Sequence, residues 1–429
     1  MSKKYKIGII GLGYVGLQLA VAFDDAPNTT VIGYDIDKNK IEKLNKGVDE
    51  TNEIENTIIN KCKIKFTSSD IDLYNLDAYI IAVPTPVNSN NTPNLECIKS
   101  ACKIISKYLN KGTLVSFEST VYPGITEDIC IPILENQSKL IAGKDFYLGY
   151  SPERLSPGDK KHCLKNVKKI ISGLNKQSLD AMYNIYSLIL KKDLLYTVET
   201  IKIAEAAKLL ENTQRDLLIA GINEISQLYK KLNINVHDVI KAAATKWNFS
   251  EVYPGLVGGH CIGVDPYYLL ELGKHLNYEM PVISSARNTN ESVIYQLKST
   301  IVDNLSDIDN SQILILGFSY KENVPDIRNT KVYNLIRSFE KSGISCDVYD
   351  PIVDKEQVYK EYNIKIVNID YTKKYDAIII LVNHNEFKNF FKDNYKALLK
   401  SSNSIIYEIN NEKNKILLSN TNIKYFSLY

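Results

Sequence analysis

Five residues, Lys6–Ile10, lead directly into Gly11-Leu12-Gly13-Tyr14-Val15-Gly16, and a helix-length segment follows. Few sequence features constrain a fold so tightly. Gly11 permits a sharp turn, Gly13 lets the backbone approach a pyrophosphate, and Gly16 allows the helix to lie close on its strand. The helix start then offers free N–H groups and a partial positive charge to phosphates. The next apolar run, Thr30–Tyr34, ends at Asp35, 19 residues after Gly16. A carboxylate there accepts hydrogen bonds from ribose hydroxyls and repels a 2′-phosphate. Strand, turn, helix and acid together predict a dinucleotide-binding βαβ unit with NAD preferred over NADP. The bland alternative is an ordinary glycine-rich turn, and Asp35 argues against it.

The alternation of short apolar runs with helix-length segments continues, as a parallel sheet requires. Ala78–Val83, Leu114–Phe117 and Phe146–Gly149 are the next strand candidates; between Ser178 and Tyr196 the pattern is less strand-like. From Ile201 to Leu232 apolar residues recur mostly three or four apart (Ile203, Ala207, Leu210, Leu217, Gly221, Ile225, Leu228), which predicts one helix of about 45 Å. A rod that long serves better as a spine between domains or subunits than as one layer of a small domain. A second α/β block opens with Ile313–Leu316, Asp347–Tyr349 and Ala377–Val382. Its Asp376–Val382 echoes Asp77–Val83, and Tyr349-Asp350 echoes Tyr34-Asp35. The expected fold is therefore α/β, with two Rossmann-like parallel-sheet domains joined by a long central helix and a helical dimerisation domain. The boundaries fall at residues 1–197, 198–304 and 305–429.

Composition narrows the function. The chain has 429 residues, and 52 Lys+Arg against 50 Asp+Glu leave a formal charge of +2, without the basic excess of a nucleic-acid protein. Seven cysteines, an odd number with no C-x-x-C, fit neither a disulfide framework nor a paired-thiolate zinc site. This reads as a reduced, cytoplasmic protein without a metal. Residues 7–23 outline a signal peptide, but four glycines and Gln18 make a poor insertion segment. No membrane insertion is expected.

Three further groups of residues could carry chemistry. Thr85 (after Val83-Pro84) and Thr120 (after Glu118-Ser119) close strands at the carboxyl edge where ligands sit. Their hydroxyls could equally cap the following helices. Pro254 to Pro266 places four glycines and two prolines around Cys261. Most cysteines are small buried hydrophobes, the reading given to Cys62, Cys97, Cys102, Cys130, Cys163 and Cys346. A glycine-rich loop can instead expose Cys261 to a ligand and favour its thiolate. On the long helix, Lys208, Asn212 and Arg215 share one face at i, i+4 and i+7. That is either a solvated polar face or two cations and an amide suited to a ligand that develops an oxyanion.

These residues, in this order, resemble the UDP-glucose/GDP-mannose dehydrogenase family over essentially the whole chain. The markers are the fingerprint with Asp35, Ser119-Thr120-Val121, Ser151-Pro152-Glu153-Arg154, Ala206 to Asn212, Gly258-Gly259-His260-Cys261, and Tyr320-Lys321 with Asp326 and Arg328. The resemblance implies a four-electron oxidation of a sugar C6 alcohol to a carboxylate with NAD. It makes Cys261 the nucleophile that forms a thiohemiacetal and then a thioester. Lys208 and Asn212 steady the oxyanion, Asp265 assists proton movement, and Thr120 and Glu153 complete the catalytic set. It further implies cofactor contacts from Gly11, Gly13, Tyr14, Val15, Gly16, Asp35, Lys40, Thr85, Thr120 and Arg328. Substrate contacts would come from Glu153, Arg154, Lys208, Asn212, Arg215, Tyr253, Gly258, Tyr320 and Lys321. The second α/β block would bind the UDP-sugar, and the protein would be a homodimer.

Two variants point within the family. UDP-glucose members typically read G-G-S-C, whereas His260 precedes the cysteine here. They also read N-P-E-F-L-x-E-G, and Pro157 stands at the later Glu. Both resemble the branch acting on UDP-N-acetylhexosamines (UDP-GalNAc or UDP-GlcNAc) for capsule or O-antigen synthesis. Tyr253 replaces a basic residue frequent in relatives, so UDP-N-acetylmannosamine and UDP-glucose stay open as substrates. From other classes, a two-electron β-hydroxyacid-type dehydrogenase and a non-catalytic nucleotide-sugar-binding protein are the competing readings.

Overall fold

The computed structural model describes residues 3–51, 53–155, 161, 163–387, 395–409 and 423–428. They form two compact units. The first runs to Asn212 and takes in Tyr267–Glu279; the second comprises Thr213–Pro266 and the chain from Met280 onward.

The first unit is built on eight strands: β1 (Tyr5–Ile10), β2 (Thr29–Tyr34), β3 (Lys65–Thr67), β4 (Ala78–Ile81), β5 (Leu114–Phe117), β6 (Tyr147–Tyr150), β7 (Lys169–Gly173) and β8 (Leu195–Thr197). Their order is β3-β2-β1-β4-β5-β6-β7-β8. Every pairing is parallel except β6 with β7. The first six strands thus follow the 3-2-1-4-5-6 order of the doubly wound dinucleotide fold, whose switch point lies between β1 and β4. Helices cover both faces, so β4 and β5 are buried at every residue, as expected for parallel strands.

The second unit carries β9 (Gln312–Leu316), β10 (Ser345–Tyr349), β11 (Ala377–Ile380), β12 (Ile405–Glu408) and β13 (Lys424–Ser427). All are parallel, in the order β10-β9-β11-β12-β13. Alternate residues feed two cores: Ile313, Ile315, Ala377 and Ile379 pack into one, Leu314, Leu316, Ile378 and Ile380 into the other. The order is the 2-1-3-4-5 of flavodoxin-like sheets. The two blocks therefore share an architecture without the second repeating the first.

The long helix is a single element, Ile201–Lys231. Ile203, Leu210, Ile225 and Leu228 lie exposed along it, with Leu232 just beyond its end. This chain alone leaves that apolar stripe uncovered. Among the described residues no helix is long and apolar enough to cross a membrane, and residues 7–23 are divided between β1 and the helix Tyr14–Asp24.

Near the start of the long helix, Glu205 is fully buried. Its carboxylate accepts the Gly124 N–H at 2.7 Å and the Thr126 N–H at 3.1 Å, which secures the chain leaving β5. Burial pushes Glu205 up to about 7 despite these donors. The folded state therefore binds a proton that the unfolded chain releases near its ordinary carboxyl range. Stability should fall as pH rises through the interval up to about 7, by up to about 3 kcal/mol for this one group. Glu205→Gln is expected to remove that share of the slope. Urea midpoints of the two proteins, measured near pH 5 and near pH 8, would check it.

Candidate active site

At the switch point the fingerprint glycines occupy the positions their chemistry requires. Gly11 has φ +92°, and a Cβ there would stand 2.9 Å from the Ala82 carbonyl oxygen. A Cβ on Gly16 would lie 1.8 Å from the Gly11 oxygen, so helix and strand could not pack as they do. Gly13 has open space where its Cβ would be. It caps the helix Tyr14–Asp24, whose first turn has no side-chain cap and no acidic residue. That end can receive a phosphate. Tyr14 and Val15 are half-buried at the same turn, with Val15 against the first core.

Asp35 is buried at the end of β2. Its Oδ2 accepts the Leu12 N–H at 2.9 Å and Lys40 Nζ at 2.8 Å, and its Oδ1 accepts the Asp37 N–H at 3.0 Å. A carboxylate has about four acceptor positions, so one remains on Oδ1 for a ribose hydroxyl. Lys40 thus serves first as the counter-ion of Asp35. The Thr85 hydroxyl donates to the Thr120 carbonyl at 2.7 Å, and the Ser119 hydroxyl to the Val83 carbonyl at 2.6 Å. The Thr85 hydroxyl therefore ties two strand ends together at the ligand edge and does not cap a helix.

Beyond β5 and β6 lies a buried charged cluster that joins Glu153 to Lys169, Glu118 and Tyr186, none of which the sequence pattern assigns a role. Lys169, at the start of β7, donates to Glu118 at 2.6 Å and lies 3.7 Å from Glu153 Oε2. Tyr186 donates to the other Glu118 oxygen and shares a 2.9 Å hydrogen bond with Ser116. Burial raises Glu118 to about 7, against the lowering effect of Lys169. Its two carboxylate neighbours raise Lys169. Glu153 is fixed in turn, its Oε1 accepting the N–H groups of Arg154 and Leu155. Arg154, a predicted substrate contact, is committed elsewhere: Nε and Nη2 grip Glu211 at 3.2 and 2.7 Å, and Nη1 donates to the Lys168 carbonyl. Pro157, with Ser156 and Gly158, lies outside the described residues.

On the long helix, Lys208 is buried, Asn212 half-buried and Arg215 exposed. Among the described residues Lys208 has no carboxylate partner. A buried ammonium without one favours an anionic ligand.

In the second unit, residues 251–258 form an irregular segment held by side chains. Asn223 clamps Gly255 twice, accepting its N–H at 2.8 Å and donating to its carbonyl at 3.0 Å. Asn329 donates to the Gly259 carbonyl at 3.0 Å. Added Cβ atoms on Gly258 and Gly259 would come within 2.9 Å of the Asn329 oxygen and 2.7 Å of the Tyr320 ring. Cys261 follows, half-buried, and its carbonyl accepts the Asp265 N–H at 2.8 Å. Asp265 is buried in the first turn of the helix Asp265–His275. His260 Nδ1 lies 3.5 Å from Asp326 Oδ2. Arg328, expected near the cofactor, grips the same Asp326 through Nε and Nη2, at 2.6 Å for the shortest contact. Tyr253 stacks on His237 and donates to Glu251, and Lys321 is exposed beside Tyr320. Of the cysteines assigned to the interior, Cys102 and Cys130 are buried, Cys62, Cys97 and Cys346 partly so, and Cys163 is exposed. No cluster among the described residues could hold a metal.

A doubly wound sheet with an intact glycine fingerprint and acid, followed by a clamped cysteine loop, defines an NAD-dependent oxidoreductase. Comparison with known proteins agrees. Models of the UDP-glucose/GDP-mannose dehydrogenase family match the chain in three blocks: the NAD binding domain over residues 5–190, the central domain over 202–292 and the UDP binding domain over 314–412. The chain belongs to this family. Its relatives include UDP-N-acetyl-D-glucosamine 6-dehydrogenases of Salmonella typhi (42% identical, covering 94% of this chain and 95% of the relative) and Pseudomonas aeruginosa (40%, covering 95% and 97%). Among solved structures, the UDP-D-ManNAc dehydrogenase of Pyrococcus horikoshii superposes with a TM-score of 0.86 at 29% identity, covering 99% of each chain.

Two predictions arise from this geometry. Asp35→Ser should remove the ribose acceptor and release Lys40 for a 2′-phosphate. The ratio of kcat/KM for NAD⁺ over NADP⁺ is expected to fall at least about tenfold. Lys169→Met should leave Glu118 buried without its cation and cost about 3–5 kcal/mol in denaturant unfolding. Lys169→Met with Glu118→Gln should recover part of that loss.

Proposed function

We propose that the chain oxidises the C6 hydroxyl of a UDP-N-acetylhexosamine to the carboxylate, through a thiohemiacetal and a thioester on Cys261. The observation that carries the reading is the cysteine loop. A half-buried thiol follows a glycine backbone clamped by Asn223 and Asn329, with Asp265 opening the next helix. NAD⁺ supplies the hydride acceptor for each of the two oxidations. Cys261 adds to the aldehyde carbon as the carbonyl π pair moves to oxygen. Lys208 and Asn212 donate to that oxygen, Asp265 takes up and returns protons, and water releases the acid and restores the thiol. Thr120 and Glu153 stand with this catalytic set. Arg215, Tyr253, Gly258, Tyr320 and Lys321 are assigned to the sugar nucleotide.

UDP-GlcNAc is favoured over UDP-N-acetylmannosamine because relatives at 42% and 40% identity are named for glucosamine, while those named for mannosamine are 33% identical or less. The product suits surface-polysaccharide synthesis, of capsule or O-antigen, in the cytoplasm. The three-part division at residues 1–197, 198–304 and 305–429 is supported by the family matches, which fall inside those bounds. A homodimer is supported by the exposed apolar residues along Ile201–Lys231. Light scattering at micromolar concentration should give twice the mass of 48.6 kDa.

The decisive assay incubates the protein with NAD⁺ and a panel of UDP-sugars and reads NADH and product mass. Two NADH per UDP-N-acetylhexosamine are expected. One would mark a two-electron dehydrogenase, and none a nucleotide-sugar-binding protein. Cys261→Ser should bind both ligands yet fail to complete the oxidation. Lys208→Ala should slow turnover by about a hundredfold or more. Full turnover by Cys261→Ser would overturn the thiol mechanism.

A further inference from the structure

We infer that Tyr268 is a positioning residue for NAD, acting through Thr85 to fix the Thr120 hydroxyl, and in this it rests on the reading of Thr120 as a cofactor contact.

The backbone at the ligand edge needs such a support. Thr85 stands between Pro84 and Pro86, neither of which has an N–H to donate. A residue before proline is also held in extended backbone. Val83 and Thr85 therefore continue β4 as a stiff segment that side chains must tie down. The Ser119 hydroxyl donates to the Val83 carbonyl at 2.6 Å, and the Tyr268 hydroxyl to the Thr85 carbonyl at 2.8 Å. The Thr85 hydroxyl donates in turn to the Thr120 carbonyl at 2.7 Å. One chain of donors thus runs from Tyr268 through Thr85 to Thr120.

Tyr268 is itself held firmly. It is fully buried, and from Tyr267 onward its helix belongs to the first unit. Tyr268 and His275, at i and i+7, share one face of the helix Asp265–His275. Both meet Tyr122, two residues beyond Thr120. The Tyr122 ring centroid lies 6.2 Å from that of Tyr268 and 6.0 Å from that of His275, and its hydroxyl is 3.5 Å from His275 Nδ1. The helix therefore grips the chain beyond β4 through Thr85 and the chain beyond β5 through Tyr122.

Of the three hydroxyls at this edge, those of Ser119 and Thr85 are committed to carbonyls. That of Thr120, which is half-buried, has no partner among the described residues. A β-branched side chain has few χ1 positions, so fixing the peptide of a threonine also fixes its hydroxyl. The same logic works twice here. Tyr268 holds the Thr85 peptide, which directs the Thr85 hydroxyl at Thr120. Thr85 then holds the Thr120 peptide, which leaves the Thr120 hydroxyl in place for a ligand. A group ordered in advance loses less entropy when the ligand arrives.

The test measures dissociation constants for NAD⁺ and for UDP by titration calorimetry, with no sugar present. The unaltered protein is compared with Tyr268→Phe, Thr120→Val and the double variant. Phenylalanine keeps the ring against Tyr122 and removes only the donor. Tyr268→Phe should bind NAD⁺ about three- to tenfold more weakly and UDP as before. Thr120→Val should also weaken NAD⁺. In the Thr120→Val background, Tyr268→Phe should add less than about a twofold loss, because its effect passes through the Thr120 hydroxyl. An unchanged NAD⁺ constant for Tyr268→Phe overturns the inference. So do equal losses for NAD⁺ and UDP, which mark a purely structural role, and a full Tyr268→Phe effect in the Thr120→Val background. If Tyr268→Phe does not fold, Thr85→Val breaks the same chain one link further on, and unaltered NAD⁺ binding by that variant is equally fatal. Unaltered binding by Thr120→Val rejects the assignment of Thr120 to the cofactor, and the role of Tyr268 with it. Because no sugar is oxidised, none of these outcomes depends on the C6 reaction, which the UDP-sugar panel tests separately.

Discussion

A loop without ladder hydrogen bonds must find partners for its backbone elsewhere, and the cysteine loop finds one in Asn223. One amide side chain both accepts from and donates to Gly255, as a neighbouring strand would. Asn223 is itself fixed by donating to Asn290, which donates to Asp216 at 2.7 Å, and Arg287 donates to the same Asp216 oxygen at 2.5 Å. Arg287 and Asp216 are essentially fully enclosed. The position of Cys261 therefore depends on a buried polar chain anchored in the helix Pro281–Val302. A glycine-rich loop can hold a nucleophile only because that chain replaces the stiffness its own residues lack.

The first unit solves a different problem, that of holding carboxylates ready without letting their charge unfold the sheet. Lys169 sits between Glu118 and Glu153, so one buried cation serves two acids. Glu118 takes the closer contact and a hydroxyl from Tyr186. Glu153 is left with backbone N–H groups on Oε1 and the weaker contact on Oε2. Such a cluster adds little net stability, since desolvation offsets the attraction. Its use lies in fixing where Glu153 stands.

Much of the fold was legible because period and punctuation report it. β5 and the ends of β1 and β2 lie where the apolar runs place them, and the long helix begins at Ile201 and ends within a residue of Leu232. β7 escaped because its buried stretch is Lys-Ile-Ile-Ser-Gly, which opens on a residue type normally found in water. β3, β12 and β13 are three- and four-residue strands, too short to set a period. Of the site, the glycines, Asp35 and Cys261 announced themselves by spacing. Lys169, Glu118 and Asn223 did not, because their roles arise from pairings across 51 and 32 residues of chain that only the folded chain brings together. A polar residue destined for a buried pair looks, in sequence, like one destined for the surface.

The echo between the two blocks explains why only one of them is suited to the dinucleotide. Gly317 repeats Gly11 with φ +88°, and its N–H reaches the Tyr349 carbonyl at 2.9 Å as that of Gly11 reaches Tyr34 at 2.8 Å. Asp350 accepts the Phe318 N–H at 2.6 Å, as Asp35 accepts that of Leu12 at 2.9 Å. The difference lies in what surrounds each acid. Asp35 meets Lys40, a flexible side chain that is 29% exposed. Asp350 meets His384, and both side chains are wholly enclosed. Because His384 Nδ1 accepts the Asn323 N–H, its Nε2 carries the proton and directs it at Asp350. The Asp350 Oδ1 is taken by the Ile352 and Val353 N–H groups. No ribose could reach an acid so enclosed. The next helix in this block begins only at Lys331, so no uncapped helix end directly follows Gly317 to meet a pyrophosphate. The same strand–glycine–acid joint is a ligand site in the first sheet and a structural lock in the second.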